Sequence, residues 1–312
     1  MKRIAIIGEC MIELNGEPFG SMLQSYGGDS LNTAVYLART TNKQIDIQYV
    51  SALGQDAVSQ GMLERWKSEN INTDLVLRDD KRQPGLYLIQ LDSKGERTFL
   101  YWRNQSAARH LLQHPDFSKV EQALSHVDMV YLSGISLAIL PRDDRTRLIG
   151  LLTQLQSQGI EIAFDTNYRP ALWENAEEAR YFYRQIFAIT DLALVTNDDE
   201  QALWGDSDEN ASLQRLKQQG VKQVALKMGA KGNIYCNFKT NETLEIPTQP
   251  VKQVVDTTSA GDSFNAGFLA GWLLNQSPSI CSKQGHLLAG LVIQHKGAII
   301  PTDTMKHIQF SL

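Results

Sequence analysis

The segment 256–262 has the residue types of a turn that could hold an anion at the start of a helix. It reads Asp-Thr-Thr-Ser-Ala-Gly-Asp and follows 251–255, a short run with strand propensity. Behind it, Phe264, Phe268 and Trp272 recur every four residues, which predicts a helix with one buried face. The unpaired amides and the positive dipole end of a helix N-terminus suit phosphate. The spacing therefore predicts a phosphate site at this turn.

Asp262 falls in the first turn of this predicted helix. It lies beside any phosphate that the amides of Ser259, Ala260 and Gly261 would bind. A carboxylate in that position can accept a proton from an attacking hydroxyl group, as the base does in phosphoryl transfer. The same residue could also only stabilise the helix N-terminus with its charge. The residue types alone leave both interpretations open.

The segment 256–262 resembles the C-terminal signature of the PfkB, or ribokinase-like, sugar kinases, which reads Asp-Thr-x-Gly-Ala-Gly-Asp. This chain departs at Ser259, where most of the family has Gly and a freer backbone. The resemblance covers essentially the whole chain. It implies that Asp262 is the catalytic base, and that the amides before it stabilise developing charge.

Two glycines, Gly27 and Gly28, precede a second predicted helix whose apolar residues would face the core. Asp29 or Ser30 can cap this helix. An ordinary glycine turn with a cap is one interpretation. With Asn32 one turn into the helix, the segment also resembles the family's N-terminal signature. That resemblance implies that Gly28, Asp29 and Asn32 bind the sugar.

Alternation with period two marks the segment 85–103 as a β-hairpin, with turn residues at 92–96. This loop length places Tyr87 opposite Tyr101, with Arg103 following on the same face. Taken singly, the two rings could only stabilise the hairpin, and Arg103 could be a solvated charge. Together they indicate a β lid over a site for a polar, acidic ligand.

Polar residues also follow the predicted strand 160–165 at its C-terminal end, where open α/β sheets bind ligands. Pro170 holds Arg169 in an extended conformation, so that Arg169 can point across the crevice. Arg169 could also be only a surface loop charge. The resemblance implies that Asn167, in the same loop, contacts the nucleotide.

Two further motifs resemble the family's nucleotide and metal region. Asn197 and Glu200 are similar to its Asn-x-x-Glu motif, which in relatives helps to order magnesium and phosphate. Asn197 could equally be a helix N-cap. Lys227 precedes a loop with Gly229 and Gly232, and this loop resembles the family's nucleotide loop, although Gly-x-x-Gly alone usually marks only a turn. The resemblance therefore implies a metal contact from Glu200 and nucleotide contacts from the others.

Predicted strands, among them the run 71–77, alternate with predicted helices along the chain, which favours a mostly parallel sheet with helices on both faces. We predict an α/β, ribokinase-like, doubly wound fold in which residues 1–312 form one domain. The hairpin fits the interior of such a sheet poorly. We expect a discontinuous β lid inserted at about 9–26 and 83–105. Because a lid with an exposed apolar face often pairs with another copy, we also expect a homo-oligomer.

Composition limits the class of protein. The chain has 312 residues, 42% of them hydrophobic and 21% charged, which is ordinary for a globular enzyme. A net charge of −5 argues against a nucleic-acid partner. No apolar run approaches the ~20 residues of a membrane span. Three isolated cysteines, Cys10, Cys236 and Cys281, predict reduced thiols in a cytoplasmic protein.

The lid and strand-end residues narrow the substrate that the resemblance implies. The lid run Tyr101-Trp102-Arg103 and the strand-end Arg169 are most similar to the branch of the family that phosphorylates 2-keto-3-deoxygluconate at its terminal hydroxyl, with ATP and Mg²⁺. In that branch these residues contact the acid group. The resemblance does not decide whether the enzyme also requires a monovalent cation.

Other functions compete with this interpretation. A neutral-sugar kinase such as fructokinase or ribokinase is the alternative within the family. A dinucleotide-dependent oxidoreductase lacks support, because the residues after the first predicted strand, 7–10, are not a Gly-x-Gly-x-x-Gly fingerprint. The presence of Asp262 disfavours a non-catalytic binding protein.

Overall fold

The structure of the protein is a computed structural model in which residues 1–91 and 97–305 are described. The strands in these ranges are β1 (Lys2–Ile7), β2 (Met11–Gly16), β3 (Met22–Gly27), β4 (Ile45–Leu53), β5 (Val76–Arg78), β6 (Leu86–Leu91), β7 (Arg97–Trp102), β8 (Met129–Ser133), β9 (Glu161–Asp165), β10 (Leu192–Thr196), β11 (Gln223–Lys227), β12 (Asn233–Asn237) and β13 (Glu242–Ile246). The α-helices are α1 (Asp29–Thr41), α2 (Ala57–Ser68), α3 (Phe117–Leu124), α4 (Gly134–Ala138), α5 (Arg142–Ser157), α6 (Ala176–Phe187), α7 (Asn197–Trp204), α8 (Glu209–Gln218), α9 (Ala260–Leu273) and α10 (Pro278–Val292). Short 3₁₀ helices lie at Ala108–Gln113, Pro170–Leu172, Gly229–Lys231 and Thr302–Met305.

Nine of the described strands form the main sheet, in the order β13-β12-β11-β10-β9-β8-β1-β4-β5. From β11 to β5 all neighbours are parallel, whereas β12 is antiparallel to both of its neighbours. The predicted mostly parallel α/β sheet is confirmed. Because parallel strands end at the same edge of a sheet, the loops after β9, β10 and β11 lie next to one another.

Alternate residues of the strands enter two different hydrophobic cores, one on each face of the sheet. Ile4 and Ile6 pack with α1, α2, α9 and α10, whereas Ala5 and Ile7 pack with α3, α5 and α6. All four side chains are at most 4% exposed. Burial on both faces explains the continuous apolar run that β1 shows in the sequence.

A second sheet contains four described strands, in the order β3-β2-β6-β7. These strands fall close to the two segments expected for the lid, 9–26 and 83–105. Tyr87 of β6 is directly opposite Tyr101 of β7, so the predicted hairpin register is confirmed. The loop predicted at 92–96 lies outside the described residues. The division of the chain into one domain with an inserted lid stays a prediction.

Two predicted strands are wrong. The run 251–255 is not a strand, because the amide of Val255 binds the carbonyl oxygen of Ile293 after α10 instead of a sheet neighbour. The strand predicted at 71–77 is reduced to β5, with one isolated bridge from Asn72 to β4. In both places the strand propensity of the residues is outweighed by other backbone hydrogen bonds, since the amide of Val76 also bonds the carbonyl oxygen of Thr73 in a turn.

Each of the three cysteines is free and buried, which confirms the predicted thiols. None of the described helices is long and apolar enough to span a membrane.

Helix α9 is buried on nearly all sides, and not only on the one face that the sequence predicted. Its closest neighbour is α10. A Cβ atom on Gly267 would lie 2.6 Å from the carbonyl oxygen of Gln284, and one on Gly285 would lie 2.8 Å from the ring of Phe264. The missing side chains therefore let the two backbones approach closely. This contact holds the first turn of α9 in place.

Gly267→Ala is expected to destabilise the fold by about 1–3 kcal/mol, because the added methyl group must push the α10 backbone away. Gly150→Ala in α5 is the matched control, since a Cβ atom there meets nothing within 4 Å. That change is expected to be neutral or to stabilise by up to about 1 kcal/mol. Urea unfolding followed by circular dichroism measures both. Equal stability of the two variants would contradict the close packing of α9 on α10.

Candidate active site

A cavity of about 510 Å³ lies between the lid and the edge of the main sheet where β9, β10 and β11 end. The predicted site residues that line it are Gly28, Asp29, Asn32, Tyr87, Tyr101, Arg103, Asn167, Arg169, Lys227, Ser259, Ala260, Gly261 and Asp262. The lining does not include Asn197, Glu200, Gly229 and Gly232.

Ser259 precedes α9 and has a left-handed backbone conformation, with φ +65°. That conformation favours glycine, which is the usual residue at this position of the resembled signature. The serine hydroxyl donates a hydrogen bond to Oδ2 of Asp262 at 2.9 Å. The serine therefore adds a contact that glycine could not make, and this contact orients the carboxylate.

Asp262 lies in the first turn of α9, where two donors meet the same carboxylate oxygen. Asn32 Nδ2 is 2.9 Å from Oδ2, the atom that Ser259 also binds. Among the described residues, Oδ1 receives no hydrogen bond and can meet a ligand hydroxyl. Burial, and after it the nearby charge of Asp29, raises the pKa of Asp262 to about 7. Asp262 is therefore a stronger base than an exposed aspartate.

The start of α1 differs from the prediction. Helix α1 begins at Asp29, and no side chain caps it, so the predicted cap by Asp29 or Ser30 is wrong. The Asp29 carboxylate is engaged elsewhere: its Oδ2 accepts from Asn167 Nδ2 at 2.8 Å and from the hydroxyl of Ser133. Gly28 permits a close approach, since a Cβ atom there would lie 2.2 Å from a backbone carbonyl oxygen. These contacts tie α1 to the ends of β8 and β9.

Tyr87 and Tyr101 share the lid face that lines the cavity, with ring centroids 5.9 Å apart. Arg103 lines the same cavity, with its guanidinium carbon 5.9 Å from the Tyr101 ring. Arg103 Nε donates at 2.8 Å to Oε2 of Glu9, a carboxylate only 1% exposed, and Nη2 donates to the same oxygen. Tyr87 donates its hydroxyl proton to Glu13. The lid side chains therefore have acidic partners within the protein.

Arg169 has the extended backbone that Pro170 predicted, with φ −125° and ψ 97°. Its side chain is 53% exposed, and Nη1 lies 3.7 Å from Oδ1 of Asp199. Burial raises the pKa of Tyr101, and the charges of Arg103 and Arg169 act in the opposite sense. Both guanidinium groups therefore lie close enough to act on one lid side chain.

Lys227 ends β11 as a buried cation beside the turn before α9. A Cβ atom on Gly261 would lie 3.7 Å from its Nζ. Nζ donates to Oδ1 of Asn265 at 2.9 Å and to Oδ1 of Asp165 at 3.4 Å. Asn265 in turn donates to Oδ2 of Asp165 at 2.8 Å. The amide of Ala260 at this turn donates to the carbonyl oxygen of Thr257 at 3.2 Å. A held ammonium group next to the positive end of a helix suits phosphate oxygens.

The Asn-x-x-Glu residues lie outside the cavity. Helix α7 begins at Asn197 after a residue without a side-chain cap, so the N-cap alternative for Asn197 is wrong. Glu200 is fully buried, and its oxygens accept from the hydroxyl of Thr166 and, at 2.6 Å, from Nη2 of Arg215. Burial raises the pKa of Glu200 to about 7. Because both oxygens are bound away from the cavity, this placement does not fit the predicted metal ligand.

Asp198 and Asp199, which lie between Asn197 and Glu200 in the sequence, do line the cavity, because successive helix positions face different directions. Burial, and after it Asp165, raises the pKa of Asp199 to about 6. Crowded carboxylates of this kind suit Mg²⁺, which takes oxygen ligands from one or two carboxylates and from phosphates. In residues 1–91 and 97–305, no group of three or more acidic, His or Cys side chains forms a complete metal site.

Gly229 is the first residue of the short 3₁₀ helix after β11, and Gly232 follows its last residue. Both have a positive φ, of +57° and +108°. A Cβ atom on Gly232 would lie 2.1 Å from the carbonyl oxygen of Ile246. The turn thus requires glycine for its own geometry. The nucleotide contact of these glycines stays a prediction.

Sequence reasoning missed four residues that shape the cavity: Glu9, Glu13, Asp165 and Asn265. Glu9 and Asp165 follow or end a buried strand, and the rule that ligands bind at strand C-terminal ends could have indicated both. Glu13 lies two residues after the cavity-lining Met11 on β2 and so shares its face of the strand. That spacing is a weaker indication of a site residue. Asn265 lies within an apolar helix and has no local signal.

Comparison with known proteins agrees with this geometry. Residues 1–305 match the family described as pfkB family carbohydrate kinase. A 2-dehydro-3-deoxygluconokinase of Haemophilus influenzae is 56% identical over 310 residues, which cover 99% of each chain. One of Dickeya dadantii is 46% identical over 307 residues, covering 97% of this chain and 98% of the relative.

The solved structure of a fructokinase of Xylella fastidiosa with bound ATP has a TM-score of 0.80 to this chain at 22% identity. The alignment covers 97% of this chain and 94% of that one. This likeness confirms the predicted ribokinase-like α/β fold. The match over almost the whole sequence shows in addition that the protein belongs to the pfkB family of carbohydrate kinases.

Proposed function

We propose that the protein is an ATP-dependent kinase that phosphorylates the terminal C6 hydroxyl of 2-keto-3-deoxygluconate to give 2-keto-3-deoxy-6-phosphogluconate. The proposal rests on one cavity that contains a buried basic carboxylate, Asp262, and two arginines from separate elements, Arg103 and Arg169. A sugar acid needs both a proton acceptor for its hydroxyl and cations for its carboxylate. The relatives with 46% and 56% identity, both 2-dehydro-3-deoxygluconokinases, support the same substrate.

The residues around Asp262 would perform the transfer as follows. Oδ1 of Asp262 accepts the proton of the C6 hydroxyl as that oxygen attacks. The amide of Gly261 at the positive end of α9, with Lys227 beside it, stabilises charge on the transferring group. ATP would supply the phosphoryl group, and Asp198 or Asp199 would hold a Mg²⁺ ion, which would neutralise phosphate charge.

The acid group of the substrate would lie between Arg103 and Arg169. Glu9 occupies Nε and one proton of Nη2 on Arg103, which leaves Nη1 for a ligand. Arg169 reaches the cavity from the main sheet and is not desolvated in advance, since its side chain is 53% exposed. A guanidinium group suits a carboxylate because its planar fork can donate two parallel hydrogen bonds.

A coupled assay of ADP release compares this function with the alternatives. With ketodeoxygluconate, gluconate, fructose and ribose as acceptors, ketodeoxygluconate is expected to give the highest kcat/KM. A neutral-sugar kinase would prefer fructose or ribose, and that preference would overturn the proposal. Family membership disfavours the dinucleotide-dependent oxidoreductase.

The homo-oligomer, the cytoplasmic location and a monovalent-cation requirement stay predictions. Leu100 and Trp102 of β7 support the first, because they are 38% and 58% exposed on the lid face opposite to Tyr101. Such an apolar sheet face is suited to pairing with a second copy.

Asp262→Asn keeps the shape of the side chain and removes the proton acceptor. We expect kcat to fall by about 10²–10⁴-fold while nucleotide binding is largely kept. Asp208→Asn is the matched control, because Asp208 caps the N-terminus of α8 and its side chain accepts from the amide of Ala211. If Asp262 only stabilised a helix N-terminus, both variants would turn over almost normally.

The raised pKa of Asp262 predicts the pH dependence of the reaction. A base works only when deprotonated, so kcat/KM should rise with pH through about 7 and then level off. Asp29→Asn removes a like charge, and we expect the midpoint of this rise to move to lower pH. Asp46→Asn, outside the cavity, should leave the midpoint unchanged. An unmoved midpoint in Asp29→Asn would contradict the charge coupling.

Arg169→Ala removes one partner of the substrate carboxylate. If hydrogen bonds to charged groups set the scale, the loss is about 2–3 kcal/mol, or roughly 30- to 150-fold in kcat/KM on ketodeoxygluconate. We expect a similar loss for Arg103→Ala and little recovery with lysine at either position, because lysine lacks the fork. Arg142→Ala, at an arginine that is 62% exposed outside the cavity, is the control.

An analogue whose carboxylate is reduced to an alcohol separates acid recognition from other roles. The penalty of both arginine variants should shrink with this analogue, because the arginine then has no anion to bind. Arg103→Ala also leaves Glu9 buried without its cation, so Arg169→Ala is the cleaner measurement. Equal losses on the acid and the alcohol would mean that the arginines serve the lid or the phosphates.

A further inference from the structure

Glu13 on β2 holds the hydroxyl proton of Tyr87. The two residues are register partners in the parallel pair of β2 and β6, and the Tyr87 hydroxyl donates to Oε2 of Glu13. Ser25 of β3 donates to the other oxygen, Oε1, at 2.9 Å. A Cβ atom on Gly27 would lie 2.6 Å from the Tyr87 oxygen, so the hydroxyl is also confined on that side. The direction of this proton is therefore fixed by the protein before any ligand binds.

We infer that Glu13 is a positioning residue that makes Tyr87 a hydrogen-bond acceptor toward the substrate. With its proton directed to Glu13, the Tyr87 oxygen offers only lone pairs to the cavity. It can accept from a substrate hydroxyl, but it cannot donate to a carboxylate or a carbonyl oxygen. The inference rests on the proposed function, because ketodeoxygluconate has hydroxyl donors at C4 and C5 between its acid group and its reacting hydroxyl.

Tyr101 lies in the opposite electrostatic environment, although its ring is only 5.9 Å from that of Tyr87. Arg103 and Arg169 both act on Tyr101, whereas the charged neighbour of Tyr87 is a carboxylate. Burial, and after it Glu13, raises the pKa of Tyr87, so Tyr87 keeps the proton that it donates. One lid face thus has a cationic half and an anionic half.

This division orients a sugar acid in the cavity. The carboxylate is attracted to the Tyr101 side, where Arg103 and Arg169 are, whereas the Tyr87 oxygen has no proton to donate to it. The hydroxyl groups find an acceptor at Tyr87. An acid bound in the reverse direction would place its carboxylate against the lone pairs of the Tyr87 oxygen, so the proton held by Glu13 also disfavours that direction.

A double-mutant cycle on Glu13 and Tyr87 tests this inference, with kcat and KM measured on ketodeoxygluconate. Glu13→Leu frees the Tyr87 proton, and we expect KM to rise about 3- to 10-fold with kcat within about 2-fold of wild type. Tyr87→Phe should raise KM by a similar factor. The double variant should be no worse than Tyr87→Phe, because Glu13 then has no hydroxyl to orient.

Glu13→Gln keeps an acceptor oxygen at the same distance, so it should recover most of the KM that Glu13→Leu loses. This near-isosteric change also keeps the test valid if leucine disturbs the lid, which thermal unfolding would reveal. Gln24→Leu is the control, because Gln24 is an exposed residue of the same lid and lies on the other face of β3. It should leave KM and kcat unchanged.

Additive KM losses in the cycle, or a fall in kcat with unchanged KM, would show that Glu13 does not act through the Tyr87 hydroxyl. Of the two analogues that lack the C4 or the C5 hydroxyl, one should have the same KM with wild type and with Glu13→Leu. If neither does, the acceptor role is wrong. Failure of the proposed function differs from both outcomes, since wild-type protein would then not phosphorylate ketodeoxygluconate at all.

Discussion

The hydrogen bond from Asn32 to Asp262 joins α1 to the first turn of α9, at 2.9 Å, and the arrangement of the cavity depends on it. Burial by itself would protonate this carboxyl group, and the two donors on Oδ2 oppose that effect. The result is a carboxyl group with a pKa of about 7 whose Oδ1 is left for a ligand. Both helices must be held rigidly for this balance, and the close contact of α9 with α10 does so on one side.

Negative charge is the second constraint on this cavity. Its described lining contains six acidic side chains, from Glu9, Asp29, Asp165, Asp198, Asp199 and Asp262, and three basic ones, from Arg103, Arg169 and Lys227. Such an excess would repel both a sugar acid and a nucleotide if the charges were mixed evenly. The three cationic side chains are instead placed on three separate elements along the cavity wall. Arg103 lies in the lid, Arg169 in the loop after β9, and Lys227 beside the first turn of α9. In the proposed function, a divalent cation bound with the nucleotide would supply the remaining positive charge.

The two tyrosines of the lid differ in their electrostatic environment, because Tyr87 donates its proton to Glu13 whereas Tyr101 lies near Arg103 and Arg169. The main sheet places Asp165 and Lys227 at the ends of β9 and β11, beside the first turn of α9. The lid supplies groups whose polarity is set by carboxylates behind them, on the β1–β2 connection and on β2. The specificity that we propose therefore depends on pairs of residues, because Tyr87 and Arg103 each have their proton or charge set by a carboxylate behind them.

Local pattern determined the strand and helix alternation, the hairpin register of Tyr87 and Tyr101, and the turn before Asp262, because each depends on neighbours in the chain. It misplaced strands at 251–255 and 71–77, because propensity does not show which backbone groups will bond: the amide of Val255 bonds Ile293, and that of Val76 bonds Thr73 in a turn. Spacing also could not predict that Asp199 lines the cavity and Glu200 does not. The face of α7 that meets the cavity depends on the contacts of Glu200 with Thr166 and Arg215.

The partners of the site residues were decided only by the tertiary structure. Glu9 is 94 residues from Arg103, and Glu13 is 74 residues from Tyr87. Each of these carboxylates has an ordinary local sequence, and its effect appears only when separate strands place it within hydrogen-bonding distance. The sequence by itself thus determined which chemical groups the protein has for phosphoryl transfer. Folding decided which charges surround them, because electrostatic effects depend on distance in space and not on separation along the chain.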